Sequence, residues 1–195
     1  YDDNLSKWVR SGGGFVGLGW LVFGIYNGPE SGSPMDSVSP VMASDNYGFQ
    51  TAGTVEPLDT THAITHGVAH FNVYDYGEYS VAGLWPGAVM LGNYDANTDK
   101  ASIACREYGD GRSVYLGPIY FAEFGGFQNQ AYYTGADSRR LLKQAIEWAA
   151  WGTSGINGPD LKPALRAELR GAMPSPFRFR TSISYNLPAA GRARL

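Results

Sequence analysis

Hydrophobic and polar positions follow different rhythms along this chain, and each rhythm predicts an element. Residues 2–11 have helical spacing, with Leu5, Trp8 and Val9 on one face and Lys7 and Arg10 on the other. Gly12-Gly13-Gly14 stops that helix, because glycine supplies the left-handed conformation a helix end uses. Residues 15–23, Phe-Val-Gly-Leu-Gly-Trp-Leu-Val-Phe, are apolar at nearly every position, as expected of a parallel strand buried on both faces. Helix, glycine turn and buried strand make one arm of a doubly wound α/β sheet.

Residues 27–54 are rich in Gly, Pro, Ser and Asn and read as a loop or lid, of a length a domain rarely keeps without a use or hidden structure. Residues 59–68 read as a short turn of helix. Strands are predicted over 71–74, 88–91, 102–106 and 113–116, the last two joined at Tyr108-Gly-Asp-Gly111, a hairpin signal of Asp-Gly type. Residues 137–151 give the clearest helix: Leu141, Leu142, Ala145, Ile146, Trp148 and Ala149 line one side, Asp137 is placed as N-cap, and Gly152 ends it. Residues 153–173 read as a linker holding one weak helix over 164–170. Beyond it, Thr181, Ile183, Tyr185 and Leu187 alternate with polar residues, the period of a half-buried strand. There is no internal repeat.

Composition narrows the class. Of 195 residues, 44% are hydrophobic and 17% charged, which describes a folded domain and not a disordered one. The single cysteine, Cys105, excludes an internal disulfide framework and a Cys-rich metal site. The net charge of −3 conceals an asymmetry: residues 1–152 carry 16 acidic and 8 basic side chains, residues 153–195 carry 2 and 7. An acidic body gives no electrostatic footprint for nucleic acid. The longest apolar stretch, residues 15–26, is interrupted by Gly17, Gly19 and Gly24, and no run is long enough for a membrane span.

Four spaced segments carry a resemblance: Leu5-Ser-Lys-Trp-Val-Arg-Ser-Gly-Gly-Gly-Phe-Val-Gly17, His62-Ala-Ile-Thr-His-Gly-Val68, Tyr108-Gly-Asp-Gly-Arg-Ser-Val-Tyr-Leu-Gly117 and Arg140-Leu-Leu-Lys-Gln-Ala-Ile-Glu-Trp-Ala149. In this order they resemble the C-terminal two-thirds of a class I glutamine-amidotransferase-like domain, particularly its ThuA-like relatives. The resemblance implies a flavodoxin-like parallel sheet whose first strands would precede Tyr1. True amidotransferases place a nucleophilic cysteine on a strand-to-helix elbow. Here Trp20 stands at the expected turn, with no Cys, Ser or Thr. Cys105 falls mid-strand, where a free thiol is usually a small buried hydrophobe. The glycines of residues 12–19 follow a helix and enter a strand, the reverse of a dinucleotide fingerprint.

The candidate pocket is drawn from His62, Asp75, Glu78, Tyr79 and Trp20. His62 matches a histidine in a His-Pro-Ile-Thr-like motif of the relatives, and Asp75-Tyr-Gly-Glu78-Tyr79 is similar to the acidic-aromatic segment lining their pocket. His62, His66 and His70 lie four apart, but Gly67 breaks a common helix, so no metal site is expected. Asp95-Ala-Asn97-Thr-Asp99 lacks the glycine and distal glutamate of a calcium loop and reads as a solvated turn. No cofactor is expected. Aromatic residues at 76, 79, 85, 120, 121, 124, 127, 132 and 133 suit either packing or stacking against a sugar ring, so carbohydrate or a cell-surface component is the candidate partner.

The tail carries a second resemblance over about a tenth of the chain. Pro174-Ser-Pro-Phe, Thr181-Ser-Ile-Ser-Tyr-Asn-Leu-Pro188 and Ala190-Gly-Arg-Ala-Arg-Leu195 look like the start of a FlgD-like, immunoglobulin-like domain, close in pattern to type IX sorting domains. It implies an exported multidomain bacterial protein, outside the cell or on its surface. Tail arginines 178, 180, 192 and 194 then fall on the solvated face of strands. The expected organisation is an amidotransferase-like α/β domain at 1–152, a linker at 153–173 and a truncated sandwich from 174. The expected function is that of a non-catalytic accessory or ligand-binding domain in a longer polypeptide. The rival is a ThuA-like carbohydrate-active enzyme or hydrolase.

Overall fold

Eight strands in one sheet form the centre of the larger of two units, Tyr1–Ile156 and Asn157–Leu195, into which the chain divides in a computed structural model. The structure describes residues 2–27, 34–43, 47–50, 53–73, 77–81, 83–118, 120, 135–152, 168–173 and 182–186. Among these, no helix is long and apolar enough to cross a membrane.

Helix α1 (Asp2–Arg10) ends at Gly12, whose φ of +109° lets the chain turn into β1 (Gly14–Gly17). The apolar run over 15–23 is not one strand. It leaves β1 at Gly17, turns sharply at Trp20 (φ +74°) and continues as helix α2 (Leu21–Asn27). A run apolar at every position has no period, so it hid the change from strand to helix.

The region 27–54 carries structure of its own: helix α3 (Pro34–Val38), strand β2 (Tyr47–Gln50) and the start of β3 (Gly53–Pro57). Residues 58–67 form successive turns instead of a helix, with Thr65 and Val68 N–H donating to the carbonyls three residues earlier. The Asp59 carboxylate starts the series by accepting from the Thr61 N–H (2.8 Å) and hydroxyl (2.7 Å). Strands β4 (Phe71–Val73), β5 (Gly77–Ser80), β6 (Val89–Tyr94), β7 (Asn97–Tyr108) and β8 (Gly111–Leu116) follow, then helix α4 (Ala136–Trp151).

The main path of the sheet runs β1-β8-β7-β6-β3-β4, with β5 joining β7 to β2. Only the β1–β8 pair is parallel among the described residues. The expected parallel flavodoxin-like sheet is therefore corrected to a mixed one. The cause is local: two-residue turns at 95–96 and 109–110 force antiparallel neighbours, whereas parallel strands need a long crossover. The second hairpin turns on Gly109-Asp110, with Gly109 at φ +65°, one residue ahead of the Asp-Gly reading. Glycine first in the turn is the type II′ arrangement.

Side-chain alternation along β7 and β8 buries both faces. Ile103, Cys105, Val114 and Leu116 enter one cluster with Leu141, Ala145 and Trp148 of α4, while Ala104 and Tyr115 enter another with Val22 and Ile25 of α2. Helix α4 packs on β1 and β8, as its pattern predicts, but Ile146 faces solvent and Ser138 and Gln144 are buried in its place. Its N-cap is Gly135, not Asp137. Asp137 instead accepts from Ala69 N–H (3.0 Å) and ties the 58–70 turns to the helix. In the second unit, β9 (Glu168–Met173) pairs antiparallel with β10 (Ser182–Asn186). Residues 168–170 of the expected weak helix are thus strand, and residues 153–167, 174–181 and 187–195 lie outside the described residues.

Candidate functional site

The strand-to-helix elbow turns on a non-glycine residue at positive φ. Trp20 is a bulky residue in the left-handed region, which is a genuine outlier that surrounding structure must hold in place. It is held from three sides. Gly19 N–H donates to Pro118 O (3.4 Å), Leu21 N–H to Leu18 O (3.0 Å), and Gly24 N–H to Trp20 O (2.9 Å). The Trp20 ring stands edge-on to Phe23, with centroids 5.0 Å apart.

Glu78 comes to the elbow from β5. It is 1% exposed, and its carboxylate accepts from Val22 N–H (3.0 Å to Oε2) and Phe23 N–H (2.7 Å to Oε1). The Trp20 amide also faces it. On the sheet side the Tyr115 hydroxyl donates to Oε2 at 3.1 Å. Burial pushes the Glu78 carboxyl up to about 7, with the donated hydrogen bonds pulling against that rise. Close approach of β5 needs Gly117: a Cβ there would press into the Glu78 carbonyl, which accepts no side chain at that distance. The Glu78 N–H donates to Gly117 O at 2.9 Å.

His62 lies apart from this pair, packed among residues of the α4-side cluster. Its Nδ1 accepts from Ile64 N–H (3.2 Å), its Nε2 is 3.8 Å from Cys105 Sγ, and its ring centroid is 5.7 Å from that of Trp148. With Nδ1 accepting, the neutral ring carries its proton on Nε2 and aims it at sulfur. Burial lowers the His62 pKa, opposed by Asp59, and pushes the Cys105 thiol up to about 12. A neutral donor beside a buried thiol cannot generate a thiolate. Tyr79 also points to that side, against Tyr94 (6.3 Å between centroids) and beneath Lys100 Nζ (5.2 Å).

Of the five sequence candidates, the structure brings Trp20 and Glu78 together and sets His62 and Tyr79 on the α4 side. Asp75 lies outside the described residues, as do aromatic residues 76, 121, 124, 127, 132 and 133. His66 and His70 are exposed, and among the described residues no three His, Cys, Asp or Glu side chains converge as metal ligands. Asp95 and Ala96 form the β6–β7 turn, and Asp95 accepts from Thr54 N–H (2.7 Å). Two open grooves lie elsewhere. One of about 540 Å³ runs between Trp8, Gly12 and Ile146, and one of about 620 Å³ between His66, Arg139 and Gln144. Neither touches Glu78 or Trp20. The elbow combines backbone strain with a buried carboxylate, whereas both grooves are open surface.

Sequence reasoning missed Tyr115 and Arg106, both polar residues set inward on strands. Tyr115 could have been found from alternation, since it faces the opposite side from Val114 and Leu116.

No family model matches the sequence, and no curated protein matches it. Solved structures do. A cytoplasmic protein from Salmonella typhimurium aligns with 76% of this chain and 59% of its own, at 15% identity and a TM-score of 0.58. A protein described as ThuA-like from Parabacteroides merdae aligns over 82% of this chain and 68% of its own, at 15% identity and a TM-score of 0.56. A β-galactosidase from Bacillus circulans sp. alkalophilus aligns over 86% of this chain but only 22% of its own, at 14% identity and a TM-score of 0.50. This chain spans about three-fifths of the length of the Salmonella structures it matches. At such identities the likeness is one of fold: a mixed, curled sheet with flanking helices, shared with ThuA-like proteins.

Proposed function

We propose that residues 1–152 are a non-catalytic, ligand-binding or accessory domain of ThuA-like fold within a longer, exported bacterial polypeptide. One observation carries the reading. The elbow that would present a nucleophile presents Trp20, and the amides around it are already used. An elbow enzyme stabilises an oxyanion with the N–H of the residue after the nucleophile. Here that N–H, of Leu21, donates to Leu18 O, and the next two donate to Glu78. The amides that open helix α2 are thus engaged within the protein itself.

Two further features support the wider setting. The β-galactosidase likeness covers about a fifth of that enzyme, so this fold can serve as one part of a larger chain. The tail from Pro174 resembles the start of a FlgD-like sandwich, a resemblance that motivates both the export and the additional domain. On this reading the parent polypeptide, recovered from its source, is longer than 195 residues. Carbohydrate or a cell-surface component remains the proposed partner, on the strength of the aromatic-rich sequence over residues 76–133.

The rival enzymatic reading has one observation in its favour: a buried carboxyl pushed to about 7 is poised for acid-base work. The test is turnover of chromogenic esters and aryl glycosides by the wild type, Trp20→Ser, Trp20→Cys and Glu78→Gln. The expected result is no turnover above background in any of them. Wild-type turnover abolished by Glu78→Gln would establish the enzyme instead.

A further inference from the structure

We propose that Arg106 anchors a binding site for a small carboxylate ligand, covered by Trp85. Arg106 lies in β7 and is only 7% exposed, yet its Nε and Nη2 have no hydrogen-bond partner among the described residues. Those two N–H groups lie on one edge of the guanidinium and form the fork that grips a carboxylate through two parallel hydrogen bonds. A third buried donor without a partner, Trp85 Nε1, belongs to the ring beside it, whose centroid is 6.0 Å from Arg106 Cζ. All three orphaned atoms are donors, so the group that completes them is an acceptor, and the arginine makes it an anion.

The sign rests on the donors themselves, since both unanswered Arg106 N–H groups belong to a cation. Arg106 Cζ lies 4.8 Å from the centroid of the Tyr108 ring, and Arg10 Cζ lies 5.1 Å from the same ring. The buried Asp36 carboxylate offsets part of the Arg106 charge and outweighs the repulsion from Arg10. Asp36 accepts from Ala43 N–H at 2.9 Å and makes no hydrogen bond to the Arg106 Nε or Nη2. The Tyr108 hydroxyl is fixed by Ser6 and Ser37, both at 2.9 Å, so the platform under the guanidinium is rigid. Aromatic faces offset part of the cost of burying a cation, but they leave its N–H groups unanswered. Trp85 is partly buried, so the side chain lies between the orphaned donors and solvent-accessible surface.

The proposal gives the ligand-binding reading a ligand class and rests on it only that far, since the orphaned donors stand whatever the elbow does. The experiment is therefore a binding measurement, separate from turnover. The full chain is titrated with acetate, succinate and citrate, with inorganic phosphate as a second oxyanion and chloride as the ionic-strength control. Melting temperature and tryptophan fluorescence are followed. At least one carboxylate is expected to raise the melting temperature saturably, as a ligand specific for the folded state must. Arg106→Gln should weaken that response about tenfold or more, the usual scale for losing charge-assisted hydrogen bonds. Trp85→Phe keeps the apolar wall and removes the third donor. It should fold normally and weaken the response by a smaller factor, which keeps the test decisive if Arg106→Gln does not fold. A response matched by chloride, one given by phosphate alone, or one indifferent to both substitutions would overturn the proposal.

Discussion

The Nε2 of His62 lies 3.8 Å from the Sγ of Cys105, and the proton between them belongs to the histidine. The pair looks like a nucleophile and its base, but the Ile64 N–H occupies the nitrogen that would have to take the proton elsewhere in a relay. Cys105 is 3% exposed and its thiol is pushed up to about 12. A thiol-specific disulfide reagent should therefore leave the native protein unlabelled at pH 8 and react fully once urea unfolds it. Rapid native labelling that slows in His62→Gln would instead reveal a working dyad.

Glu78 makes stability depend on pH in a definite direction. Its carboxyl sits at about 7 in the fold against an ordinary 4.5, so between those values the folded state holds a proton that the unfolded chain has released. Stabilisation from this group is full below about pH 4.5 and is lost as pH rises through about 7, a total of about 3 kcal/mol. His62 works the other way, because burial lowers its pKa and costs stability on acidification. The difference between wild type and Glu78→Gln isolates the glutamate. Urea midpoints measured from pH 4.5 to 8 should fall in the wild type relative to the variant, and parallel curves would show that Glu78 ionises normally.

What the sequence made legible depended on period. Helix α4 was readable because Leu141, Ala145 and Trp148 recur at helical spacing, and β7 and β8 because a turn signal separates two apolar runs. The elbow was not, since residues 15–23 are apolar throughout and only the positive φ of Trp20 marks where strand becomes helix. Ile146 was misplaced because a helix buries a stripe, and Gln144, tied to His66 O at 3.0 Å, holds the position at the edge of that stripe. Trp20 and Glu78 entered the candidate set through family resemblance, not through any local pattern. Arg106 entered through neither, because its importance lies in missing partners, which no sequence displays.

The β6–β7 turn offers a stabilising substitution. Asp95 (φ +53°) and Ala96 (φ +56°) are both left-handed, as a type I′ turn requires. Asp95 is compensated by the hydrogen bond it accepts from Thr54 N–H, whereas alanine has nothing to offset a strain of about 1 kcal/mol. Ala96→Gly removes that strain and gives back part of it as unfolded-chain entropy. A net gain of about 0.5 kcal/mol is expected, seen as a higher urea midpoint at unchanged m-value. A loss of stability would mean that the Ala96 methyl packs usefully in the folded state.

Strain at Trp20 predicts an unusual order of substitutions. Replacing it by Gly relieves the backbone and loses the edge-on contact with Phe23, so the two effects oppose each other. Replacing it by Val loses the same ring and puts a β-branched residue where φ is +74°, a cost of about 1–3 kcal/mol beyond Gly. Trp20→Gly should therefore be the more stable variant by that margin, the reverse of the usual ranking beside a strand. The elbow also positions the Val22 and Phe23 N–H groups on Glu78, so the two sites are coupled. If Val relaxes the turn, those donors move away and the Glu78 carboxyl rises above about 7, shifting the pH at which stability is lost. Equal stability of the two variants with unchanged pH dependence would show that the elbow bends without strain and does not hold the carboxylate.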